Sequence, residues 1–202
     1  MVINPAFHSM QVHLLMGSLF VAGFSILATI VLKKIQPEFH EKFKGHIDAT
    51  IWISVGLAAI LIISSIITGF FSLPIMAMLN SSIIKNKIFI SLLMMLIIFF
   101  SLGIRYFYRN REFLENRSLQ RFSIGLVLFT FVLGVVASSI GGDITGRSSG
   151  FEQILLLLGI QTRWTFYLPN SLLLIVLGLG IIAVILPYLI SNNKAAENRE
   201  RK

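Results

Sequence analysis

The side chains best equipped for chemistry cluster near the margins of apolar runs. Close to the N-terminus the chain reads Phe7-His8-Ser9-Met10-Gln11-Val12-His13, and Met76 and Met78 follow Pro74. Imidazole together with thioether suits copper, Cu(I) above all. A spacing of five residues sets two helical side chains about 140° apart. His8 and His13 therefore share a ligand only if the chain at His8 has not yet become helical, which Pro5 permits. The same residues also fit a plainer role, the histidines as interfacial polar tips and the methionines as apolar filler. The acidic candidate is Asp143, in the stretch Gly141-Gly142-Asp143-Ile144-Thr145-Gly146-Arg147. It can join a metal set of His8, His13, Met10 and Met76, accept from His13, or pair with Arg147. On the bland reading the glycines end a helix through positive φ and the rest is a polar turn. Thr68-Gly69, with Ser64, Ser65, Ser138 and Ser139, suits close helix packing, with a polar pocket between helices as the alternative.

The elements that must position these groups are apolar and long. Of the 202 residues 55% are hydrophobic and only 13% charged, where a soluble domain needs about 25% charged residues to cover its surface. Five runs approach the roughly 20 residues a spanning helix requires, at about 10–32, 49–73, 88–108, 122–140 and 169–190. None carries Asp, Glu or Lys in its middle. The expectation is an all-α integral membrane protein: a bundle of five transmembrane helices over residues 1–190, with a basic cytoplasmic tail at 191–202. Segments 74–84 and 151–160 are apolar in part but too short to span, and read as interfacial or re-entrant pieces. The first run has no basic residues before it and is read as a retained helix, not a signal peptide.

Lysine and arginine fix the expected orientation. Thirteen flank one side of the expected membrane, in the loop after the first run, the loop after the third and the tail; the other side has four, Lys85, Lys87, Arg147 and Arg163. The positive-inside rule makes the richer side cytoplasmic and puts the N-terminus outside, in the plasma membrane. The formal net charge of +8 thus reflects topology, and no nucleic-acid partner is expected. His40 and His46 fall in the first cytoplasmic loop, read as solvated, with Asp48 as N-cap of the second helix.

Absences narrow the function. There is no cysteine, so disulfides, thiolate metal sites and a Cys nucleophile are excluded. No phosphate loop or nucleophile–base pair is legible. His13 and His46 lie on opposite faces of the expected bundle, which disfavours a bis-His haem and leaves copper as the first cofactor to consider. The expected function is a non-catalytic subunit or scaffold of a larger membrane complex, such as a respiratory or oxidase-like one, with other membrane subunits or further copies of the chain as partners besides the bilayer. The alternatives are a metal-handling or redox protein with a His site at the outer face, and a transporter of a small neutral solute.

Three fragments carry a resemblance: His8, Val12, His13 and Gly17; Thr68-Gly69; and Gly141-Gly142-Asp143. Together they resemble the family of small membrane proteins known as domain of unknown function 2231, over about residues 5–150. Ser9 and Leu14-Leu15 depart from that family's proline-containing start, and the fifth run lies outside the resemblance. It implies a four-helix membrane core with these fragments on one face, and it brings no activity with it.

Overall fold

The computed structural model describes residues 5–72, 74, 76, 80–108, 116–144, 150–159 and 170–182. Those residues form helices and connections, with no strand among them. We number the helices α1 (Pro5–Ile35), α2 (Pro37–Ser72), α3 (Ser82–Phe107), α4 (Arg117–Ile144), α5 (Gly150–Leu157) and α6 (Asn170–Ile182). The first four are each long and apolar enough to cross a membrane. Even α3, with 26 residues, extends about 39 Å at 1.5 Å per residue, against a hydrocarbon thickness of about 30 Å. Helices of this composition follow from the solvent. In lipid no water completes a backbone hydrogen bond, so each segment must satisfy its own. Polar side chains obey the same constraint: Ser18, Thr29, Ser101 and Thr130 each donate to the carbonyl four residues earlier in their own helix, at 2.8–3.0 Å.

The four long helices make a ring in which α1 packs between α2 and α4, and α3 closes the circuit between the same two. All neighbours run antiparallel, because a single non-helical residue, Gln36, joins α1 to α2 and short connections join the others. The N-terminus of α1, the C-terminus of α2, the N-terminus of α3 and the C-terminus of α4 therefore meet at one end, the His8 end. Leu19, Ile26, Val55, Ile62, Leu92 and Ile98 fill the axis and are almost wholly buried. The outward faces are as apolar as the core: Phe24 is 63% exposed, Ile53 72% and Ile60 68%. Apolar exposure on this scale is not a water-facing surface. Lipid tails solvate it, so this is a membrane protein, and its helices associate through close packing rather than through flight from water.

Several elements extend beyond their sequence-level bounds. The stretch expected as a solvated loop before residue 49 is helical from Pro37, a favoured first helical residue. It continues because Phe39, Phe43 and Ile47 recur at helical spacing and Glu41 pairs with Lys44 one turn on, at 2.5 Å. His40 is consequently buried rather than solvated, at 8% exposure. Asp48 is not an N-cap, since it lies in the fourth turn of α2. α3 starts at Ser82, capped by Ser81, whose hydroxyl accepts from the Ile84 N–H. This absorbs part of the segment expected as interfacial at 74–84.

α5 forms most of the short apolar segment expected at 151–160, lies against α4, and leaves Leu157 86% exposed. Gly159 ends it at φ +75°, a conformation L side chains rarely adopt. α6 covers the first part of the expected fifth span and is short as described. It reaches the core through Val176 and comes so close to α3 at Gly180 that a Cβ there would collide with the Met95 methyl. Residues 183–190, the tail 191–202, Arg163, Trp164, Arg147 and Met78 lie outside the described residues.

Candidate functional site

At the His8 end, polar groups from all four long helices converge on a cavity of about 80 Å³. α1 contributes His8 in its first turn. The imidazole Nδ1 is 3.1 Å from Thr68 Oγ1 on α2. Thr68 gives its own proton to the Ser65 carbonyl at 3.1 Å, so its oxygen accepts from Nδ1–H of His8. Gly69 explains the rest of the Thr-Gly pair: a Cβ there would stand 3.1 Å from His8 Cε1. Threonine anchors the ring and glycine gives it room.

α3 contributes Lys87, which lies in the second turn of the helix and lines the cavity. Its ammonium rests on α4, 2.9 Å from where a Gly141 side chain would begin. Gly141 and Gly142 are interior to α4, which runs on to Ile144, and among the described residues positive φ occurs only at Gly159. The Gly-Gly pair therefore does not end the helix as the sequence suggested; Gly141 instead clears a path for the lysine. The last turn of α4 is the negative end of its dipole, a favourable place for a cation. Among the described residues Lys87 nevertheless has no carboxylate within ion-pairing distance. Asp143 occupies the same last turn, two residues beyond Gly141, and is itself partnered.

The floor of the cavity is tightly packed. A Cβ on Gly134 would lie 2.8 Å from Met16 Sδ and 3.2 Å from Met94 Cε. Three serines in the wall, Ser65, Ser91 and Ser138, have side-chain hydroxyls with no hydrogen bond to any described residue. Ser18, Thr29, Ser101 and Thr130 elsewhere in the bundle bond back to their own helices instead.

The structure brings His8, Thr68, Gly69 and Gly141 together around this cavity, with Gly142 and Asp143 in the adjoining turn. It does not bring His13 in. Because α1 is already helical from Pro5, His8 and His13 point to different faces, and the condition under which they would share a ligand fails. His13 Nδ1 donates instead to the Ser9 carbonyl at 2.7 Å on the exposed side. Met10 and Met76 are exposed as well, at 50% and 68%. Among the described residues no three His, Asp or Glu side chains gather as a metal set.

Sequence reasoning passed over Lys87, taking it for a loop charge. The signal was present: it stands on the side of the membrane poor in basic residues, immediately ahead of an apolar run. A second cluster also went unread, at the opposite end of the bundle. Arg105 of α3 donates to Asp48 Oδ2 of α2 at 2.6 Å, and Trp52 Nε1 donates to Asp48 Oδ1 at 3.1 Å. The guanidinium lies 5.6 Å from the Trp52 ring centroid. This triad clamps α2 to α3.

Comparison with known families, curated proteins and solved structures finds no match.

Proposed function

We propose that this is a non-catalytic integral membrane protein that acts by binding, as a subunit or scaffold of a larger assembly in the plasma membrane, and engages its ligand at the His8-end cavity. The observation that carries the reading is the convergence of polar groups on that cavity. At the His8 end a lysine, a histidine and three serines line one small space, whereas Ser18, Thr29, Ser101 and Thr130 bond to their own helices. Among the described residues the one hydroxyl there that meets an imidazole, that of Thr68, gives its proton to the Ser65 carbonyl, which favours holding a ligand over transforming it.

The proposal includes five spans with the N-terminus and the cavity outside. The 13-to-4 distribution of lysine and arginine supports this orientation. Of the fragments that resemble domain of unknown function 2231, His8, Thr68-Gly69 and Gly141 meet at this end, which supports reading those residues as parts of one site; His13 stays outside it. Purification from native membranes in mild detergent, with identification of co-purifying proteins and an optical spectrum for haem, tests the assembly. Recovery of the chain only as a lone monomer would refute membership of a complex.

A further inference from the structure

We infer that the His8-end cavity, taken as the binding site proposed above, receives a singly anionic amphiphile: an acidic oxygen head held by Lys87, continued by an apolar chain. Charge gives the sign of the ligand. Lys87 lines the cavity from the second turn of a membrane-spanning helix, and no described carboxylate neutralises it. A cation near the hydrocarbon boundary is costly unless it is paired or reaches water. The α4 carbonyl end compensates it in part, and the space left by Gly141 lets the ammonium lie against α4. One cation matches one negative charge.

The walls give the remainder of the ligand. Apart from Lys87, His8 and the three serines, the lining is aliphatic or aromatic, with Ile66 and Phe70 of α2 facing Ile84 and Ile88 of α3. Such walls solvate methylene groups. A space of about 80 Å³, several water-sized volumes at about 10–15 Å³ each, accommodates a carboxylate and the first few methylenes. The hydroxyls of Ser91 and Ser138, without a hydrogen bond among the described residues, can donate to the two oxygens of such a head. Depth agrees as well. His8, Thr68, Lys87 and Gly141 all lie within the terminal turns of their helices, the level at which lipid head groups meet acyl chains.

Native mass spectrometry of the full-length chain in neutral detergent, with palmitate, methyl palmitate and acetate as probes, tests the inference. One palmitate per chain is expected, with methyl palmitate and acetate each bound about tenfold or more weakly, the scale set by losing one member of a charge pair or the buried chain. Lys87→Gln should lower palmitate binding by about the same factor while Lys87→Arg largely preserves it. Equal binding of acid and ester, both abolished by the cavity-filling Ser138→Phe, would overturn the anionic head yet leave the binding cavity standing. Acetate binding as tightly as palmitate would overturn the amphiphile. If neither acid nor ester binds, the binding reading of the cavity falls along with this inference. The comparison of acid with ester on the unaltered protein decides the question even if Lys87→Gln does not fold.

Discussion

The His8–Thr68 contact shows how little polar structure a membrane bundle needs to set a side chain. One hydroxyl, already committed to the Ser65 carbonyl, still has a lone pair for the imidazole, and a glycine one residue on leaves space for the ring. Thr68→Val keeps the shape and removes the acceptor. It should destabilise the protein by about 1 kcal/mol, the scale of an interhelical hydrogen bond in a membrane bundle. Reversible unfolding in mixed detergent–SDS micelles measures this, and unchanged stability would mean that the bond contributes nothing. The sequence made His8, Thr68 and Gly69 visible as separate candidates. It could not show that the threonine holds the histidine, because 60 residues separate them.

At the scale of elements, the pairing of α2 with α3 is anchored at opposite ends by different means: the cavity residues at one, the Asp48–Arg105–Trp52 triad at the other. The triad side chains are only partly exposed, 15% for Arg105 and 24% for Asp48. Removing one partner strands a charge, whereas removing both does not. Asp48→Ala is therefore expected to cost about 2 kcal/mol, less than a fully buried pair because water screens part of the interaction. Adding Arg105→Met should restore most of that loss. Strictly additive losses in the double variant would show that the pair is not coupled. The helical pattern through residues 37–48 was legible in principle, since Phe39, Phe43 and Ile47 recur at helical spacing. Lys42, Lys44 and Glu41 masked it by making the segment look like an ordinary loop, although mixed charge on one face is equally normal for a helix that emerges from lipid.

For the whole molecule the central question is which end faces the cell interior. The absence of cysteine makes this simple to test, because a single introduced thiol is the only one present. A membrane-impermeant maleimide should label Ser9→Cys on intact cells and Gly45→Cys only after the membrane is opened. Ser9 and Gly45 are both exposed, so access depends on sidedness and not on burial. The reverse pattern would invert the orientation and move the cavity to the cytoplasmic face. Extraction behaviour provides a further check: the chain should leave membranes with detergent and remain behind in high salt or alkaline carbonate, since large apolar side chains are exposed from Leu14 to Val31 of α1 and from Ile53 to Phe71 of α2.

Composition and the length of the apolar runs were enough to establish a helical membrane protein, because the bilayer admits few solutions and each helix satisfies its own backbone. Charge counts alone sufficed to predict an orientation, since that rule depends on numbers of residues and not on their contacts. Only the tertiary structure decided which polar residues meet. His8 and His13, neighbours in sequence, are separated by the helical turn between them, while His8 and Lys87 line one cavity because antiparallel packing brings the start of α1 and the start of α3 to the same end. Lys87 changed its meaning for the same reason: a loop charge in the sequence, it became the cation of a cavity once Gly141 of α4 gave its ammonium a place to rest.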